Sequence, residues 1–140
     1  MQVLGLQEAV EIIVAKDPRY KVDAYVFLRD ALDFTLKRRR KNRKGTIPSH
    51  VTALELLEGF RDQALHEFGP MAITVLEYWG IKNSADIGQM VFHLIETGVL
   101  GKTDNDTLDS FSNALDFKQV FVTPFQPISS STPKASLIAP

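Results

Sequence analysis

Three apolar segments in the middle of this chain, each with helical spacing, run into a glycine: 54–68 into Gly69-Pro70, 71–79 into Gly80, and 87–95 into Gly98. Glycine accepts the left-handed backbone in which helices commonly end, and proline cannot continue the amide ladder. This stretch is therefore committed to short helices parted by tight turns. Leu54, Leu57, Arg61, Ala64, Leu65 and Phe68 trace the first of them. Met71, Ala72, Val75, Leu76 and Trp79 trace the second, and Ile87, Met90, Val91, Leu94 and Ile95 the third. Thr52 and Glu55 have the spacing of a capping box, and Ser84 is the expected cap of the last helix.

Upstream, Val3, Leu6, Val10 and Ile13 predict an amphipathic helix stopped by Asp17-Pro18. A second helix is expected from Val22 or Asp23 to about Lys37. Tyr25, Leu28, Leu32 and Leu36 form its stripe, widened by Phe27, Ala31 and Phe34. Downstream of Gly98 the pattern changes. Residues 99–103 and 108–114 read as the strands of a small β-hairpin whose tip is Asp104-Asn105-Asp106. Asp116 is placed to cap one more turn through Phe117, Val120 and Phe121. The expected architecture is a mainly α domain over 1–121, with about five helices and a C-terminal two-stranded β-hairpin, winged-helix-like in order. A Pro/Ser-rich extended tail follows over 122–140.

Several phrases, taken in order, resemble a known group. They are AYVFLRDALDFTL at 24–36, HVTALELLEG at 50–59, FGPMA at 68–72, WGI at 79–81, ADIGQMVFHLIETGVL at 85–100 and DFKQVF at 116–121. Together they resemble an uncharacterised bacterial protein family found mainly in planctomycete and verrucomicrobial-type genomes. The resemblance covers about 20–125. It implies a defined fold and brings no activity with it.

Charge is distributed unevenly. Seven of the sixteen Lys and Arg fall in one octet, as Lys37, Arg38, Arg39, Arg40, Lys41, Arg43 and Lys44. That leaves nine basic residues against seventeen Asp and Glu elsewhere, although the formal net charge is only −1. Such a run reads first as a solvated loop whose leading members favour the negative end of the second helix. Its functional reading is contact with nucleic acid or another polyanion. No aromatic residue interrupts it, so base stacking has no support. The expected recognition helix of a winged-helix reading, 84–97, carries Asp86 and Glu96 and no Lys or Arg, which argues against groove reading.

Other chemistry is sparse. With no cysteine, disulfides, thiolate metal sites and cysteine nucleophiles are excluded. The run Asp104-Asn105-Asp106-Thr107-Leu108-Asp109 begins like a calcium loop. It then places Leu108 at a ligand position, Asp109 at the turn glycine and Leu115 at the closing acid. His93 and Glu96 share one helix face but have no third partner, so no metal or cofactor is expected. Glu55, Glu58 and Asp62 read as a solvated edge. An enzyme would require Glu55, His66 or His93 to converge. No catalytic motif is present, and the apolar content is ample at 44%. The expectation is a cytoplasmic, non-enzymatic protein-interaction module, with no membrane association, binding another protein through an apolar groove between helices. The alternative is a nucleic-acid-binding accessory protein using a basic loop over 37–44.

Overall fold

Apolar spacing fixes where the first helix lies and what it buries. In the computed structural model, which describes residues 5–42, 51–100 and 108–127, α1 spans Leu6–Lys16 and turns Ala9, Val10 and Ile13 inward. The Asp17 amide donates to the Ile13 carbonyl at 2.8 Å. Pro18, with no amide hydrogen to offer, follows.

The second helix, α2, spans Val22–Asn42 and so continues five residues past its expected end. Ala24, Tyr25, Phe27, Leu28 and Ala31 are buried along it, while Phe34, assigned to the same face, stays 36% exposed. α3, at Ala53–Phe68, runs antiparallel to α2. Phe27 meets Phe60 and Phe68 at ring-centroid separations of 5.1 and 5.5 Å, whereas Arg39, further along α2, meets Glu55 near the start of α3. The helices approach most closely at Gly59, where a Cβ would overlap Thr35 Oγ1. Thr35 is buried but satisfied, its hydroxyl donating to the Ala31 carbonyl at 2.7 Å.

The capping box forms as the spacing predicts, with Thr52 Oγ1 accepting from Glu55 N and Glu55 Oε1 accepting from Thr52 N. The apolar stripe of α3 is nonetheless rotated from the expected one. Ala53, Leu56, Leu57, Phe60 and Ala64 are buried, and Leu54 is 55% exposed. The reason is steric: Gly59 must face α2, and it carries Leu56 and Phe60 inward with it.

A short 3₁₀ turn at Gly69–Met71 leads into α4, Ala72–Tyr78, and then α5, Ser84–Glu96. Gly69, Gly80 and Gly98 follow α3, α4 and α5 with φ of 52°, 96° and 84°, as their positions in the sequence require. Gly80 is constrained twice, because a Cβ there would also overlap the Arg19 carbonyl oxygen. Beside it, Lys21 N donates to Trp79 O at 3.1 Å, so the α1–α2 and α4–α5 turns are stitched together. Asn83, rather than Ser84, caps α5 by accepting from Asp86 N at 3.0 Å. Ser84 is buried one position further on, where its hydroxyl donates to the Phe111 carbonyl.

The expected β-hairpin is not formed. Among the described residues there is no strand. Val99 and Leu100 both donate to the Leu94 carbonyl, and Leu108–Phe111 is a 3₁₀ turn. Asn113 has φ of 53°, which an extended strand does not permit. Phe111 is 2% exposed and sits against Gly88, close enough that a Cβ there would crowd its ring. Its burial is thus on α5 rather than across a hairpin, and the winged-helix likeness goes with the hairpin. The expected tip at 104–106 and most of the calcium-like run lie outside the described residues. Asp116 Oδ1 accepts from Lys118 N and Gln119 N at 3.1 and 3.2 Å, capping a wide π-helical turn at Lys118–Val122. That turn buries Phe121 with Phe117 beside it. Of the expected extended tail, Thr123–Phe125 is a 3₁₀ turn.

The buried side chains of α1 to α5 and of the turns around Phe111 and Phe121 form one cluster. Trp79 packs against it, 5.4 Å from Phe27 and 5.8 Å from Phe68 between ring centroids. No helix of the described residues is long and apolar enough to cross a membrane.

Candidate functional site

Two polar constellations stand out, one around His93 and one where the basic segment meets α3. The first begins at Pro18. The turn there leaves Asp17 and Arg19 facing each other, so Arg19 Nε reaches both carboxylate oxygens at 2.9 and 3.0 Å and a terminal nitrogen reaches one at 2.6 Å. Hydrogen bonding from Arg19 holds the Asp17 carboxyl down at about 2. From α5, His93 Nε2 lies 3.5 Å from Asp17 Oδ2, and Tyr25 Oη lies 2.8 Å from His93 Nδ1. With Tyr25 donating, the Nε2 hydrogen faces Asp17. Alongside, Tyr20 donates to Asp86 Oδ1 at 2.5 Å, and Lys82 N donates to the other oxygen at 2.8 Å. Burial raises the ionisation of both tyrosines well above the ordinary phenol range, and Asp86 adds to it for Tyr20.

The order carboxylate, imidazole, hydroxyl is one that nucleophilic catalysis uses. Here it has no open face at its working end. Tyr25 is 0% and Tyr20 1% exposed, and no substrate can reach an oxygen at that depth. The network instead rivets the α1–α2 turn and α2 to α5. The local sequence signals Asp17-Pro18 and His93 were visible. Their pairing spans 76 positions in the chain, and that of Tyr25 with His93 spans 68, beyond the reach of spacing rules.

The three residues considered for catalysis share no partner. Glu55 engages Arg39, His93 engages Tyr25 and Asp17, and His66 is exposed in the last turn of α3. Both ring nitrogens of His93 are occupied within the protein, and Glu96 is exposed. Among the described residues no three His, Asp or Glu side chains are arranged to hold a metal.

The basic segment is not a loop as far as the structure describes it. Residues 37–42 are the last turn and a half of α2. Arg38 reaches across to Asp62 at 2.5 Å while stacking over Phe34 at 5.0 Å. Arg39, with its side chain 7% exposed, lies 3.3 Å from Glu55 Oε2. Lys37 and Lys41 are exposed, the side chain of Arg40 is outside the described set, and so are Arg43 and Lys44. The expected solvated edge of α3 is therefore a receptor for two arginines. Burial tends to raise the Asp62 carboxyl, but Arg61, 2.8 Å away, and Arg38 outweigh it and hold it below the usual range. An arginine at position 39 cannot point to water, because the face that buries Ala31 and Thr35 on α3 passes directly beneath it. The acids at Glu55 and Asp62 make that placement tolerable.

Compared with known proteins, the chain matches no family model, no curated protein and no solved structure. Its functional reading rests on its own residues.

Proposed function

We propose that this chain is a non-enzymatic protein-interaction module. The observation that carries the reading is that its histidine–carboxylate–hydroxyl network ends on a fully buried tyrosine, so the groups best suited to chemistry serve the fold. The surface meanwhile offers large apolar side chains for contact: Leu54 is 55%, Met71 56% and Tyr78 71% exposed. Such side chains at scattered positions are ordinary. Met71 and Tyr78, however, lie two turns apart at either end of α4, with Lys21 over the tyrosine ring at 5.3 Å.

Site-resolved photocrosslinking tests this reading. A crosslinking residue at Leu54 or Met71 of the full chain is expected to trap one discrete protein partner that the same residue at Glu11 does not trap. Turnover of a substrate abolished by His93→Gln, with no discrete adduct, overturns the proposal.

A second reading, polyanion contact, is favoured by the exposure of Lys37 and Lys41 one turn apart. It is narrower than the run of charge suggests, since Arg38 and Arg39 are engaged with Asp62 and Glu55. Each phosphate neutralised steepens the salt dependence of binding by roughly 0.9 log units. Binding of a DNA or RNA duplex that is lost in K37Q/K41Q supports this reading, and equal binding by that variant dismisses it.

A further inference from the structure

The basic end of α2 carries more than charge. Helical spacing brings Phe34, Lys37, Arg38 and Lys41 onto one side of the helix. An aromatic ring thus stands among the cations, although none interrupts the charged run in the sequence. Phe34 is 36% exposed. The Arg38 guanidinium lies over its ring at 5.0 Å and is fixed at one edge by Asp62 at 2.5 Å. On α3, Arg61 shares Asp62, and Glu58 acts on Arg61, so these two arginines and two acids balance. Arg39 is balanced by Glu55. Lys37 and Lys41 are exposed, and neither forms an ion pair among the described residues. Upstream on the same side stand Val26 and Asp30, with Asp33 beside them 3.8 Å from Arg29. The negative end of a helix accounts for lysines in its last turns. It does not account for an exposed ring with a guanidinium held flat upon it.

The geometry points to this face as a binding site for single-stranded nucleic acid, with one unpaired base on the Phe34–Arg38 pair and the adjoining phosphates on Lys37 and Lys41. A stacking platform beside cations is what sequence-tolerant strand binding uses, and a guanidinium plane receives a base as an aromatic ring does. With one edge on Asp62 and one face on Phe34, Arg38 has its second face to offer, and its side chain is 37% exposed. Because both groups are placed before binding, little freedom is lost when a base arrives. Lys37 and Lys41 stand about 6 Å apart along the helix axis, so their flexible stems reach neighbouring phosphates. Asp30 repels phosphate, which ends the footprint at Phe34 and directs the strand towards Lys41. A duplex keeps its base faces inside its own stack and meets only the lysines. An acidic peptide leaves the platform unused, and Asp62 already occupies an edge of Arg38 that a carboxylate would take.

The two kinds of contact leave different marks. Stacking of one base contributes a factor of about five or more in affinity and releases no counterion. Two phosphates on a single strand contribute a slope of about 1.4 in log affinity against log salt, at about 0.7 each. A site this small binds weakly, and its salt dependence is shallow.

This inference rests on the polyanion reading and deepens it by naming the polyanion. Fluorescence anisotropy on the full chain tests it, with a labelled oligothymidylate of about 16 nucleotides and a DNA duplex of about that length. The strand is expected to bind more tightly than the duplex. Phe34→Leu is expected to weaken strand binding about fivefold or more with the salt slope unchanged. Arg38→Lys keeps the charge but not the plane and is expected to behave likewise. K37Q/K41Q is expected to flatten the salt slope by about 1.4. An unchanged far-ultraviolet circular dichroism spectrum confirms that each variant is folded. Equal strand affinity in Phe34→Leu and the wild type overturns the proposal. So does a duplex bound as tightly as the strand, or polyglutamate displacing the strand as well as unlabelled oligothymidylate does. Duplex binding that is lost in K37Q/K41Q then still upholds the broader polyanion reading, and absence of binding to either nucleic acid removes both.

Discussion

Arg39 and Glu55 tie the last turns of α2 to the cap of α3: Arg39 Nε lies 3.3 Å from one carboxylate oxygen of Glu55, while the other oxygen accepts the Thr52 amide at 3.1 Å. One carboxylate thus caps a helix and neutralises a buried guanidinium. Arg39→Ala is expected to destabilise by about 2 kcal/mol, between the 0–1 of exposed pairs and the 3–5 of fully buried ones. Glu55→Gln keeps an acceptor for Thr52 but removes the charge facing Arg39, and Glu55→Ala loses about 1 kcal/mol more with the cap. Urea unfolding of the single and double variants gives the coupling energy, expected at about 1 kcal/mol or more. A coupling near zero removes the pair from the fold.

At the closest approach of α2 and α3, Gly59→Ala is expected to cost about 1–3 kcal/mol by overpacking against Thr35 Oγ1. Thr35→Ala removes that oxygen, so the double variant is expected to be more stable than the two single losses added together. Additive losses measured by denaturant midpoint contradict the close packing.

How much of this was legible in the sequence follows from the range of each signal. Gly69, Gly80 and Gly98 announce helix ends because their requirement is local, and Thr52 with Glu55 announces a cap for the same reason. Asp116 was likewise readable as the cap of the turn that buries Phe121. The β-hairpin misled because the turn composition of Asp104-Asn105-Asp106 between two short segments resembles a hairpin tip, whereas Phe111 finds its burial on Gly88. The basic segment misled differently. Charge density favours solvent, whereas acids 16 and 24 positions later, Glu55 for Arg39 and Asp62 for Arg38, hold two of its arginines against α3.

The rivet between α2 and α5 predicts a hydroxyl-specific effect. Tyr25→Phe preserves the ring packing but leaves His93 Nδ1 without its donor, for an expected loss of about 1–2 kcal/mol. Calorimetry on this variant checks it. A loss below about 0.5 kcal/mol means that water replaces the phenol and that the bond does not hold the helices.

Acid should weaken the fold in a defined window. The Asp17 carboxyl titrates at about 2 in the folded protein against an ordinary 3.8, and Asp62 is lowered too. Lowered carboxylates contribute stability that is present above the ordinary value and disappears as pH falls through the folded one. The melting temperature is therefore expected to drop as pH falls from about 4 to about 2. In Asp17→Asn part of that loss is already incurred at neutral pH, so its profile is expected to be flatter in the same window. Parallel profiles for the two proteins contradict the pairing with Arg19.

Labour within the basic segment is divided: Arg38 and Arg39 hold α2 on α3, whereas Lys37 and Lys41 face outward. Thermal unfolding of R38Q/R39Q and K37Q/K41Q, side by side at moderate ionic strength, tests this division most directly. The first is expected to melt about 5–10 °C below the wild type and the second within about 2 °C of it. Equal melting of both variants, or a greater loss in the lysine pair, contradicts it.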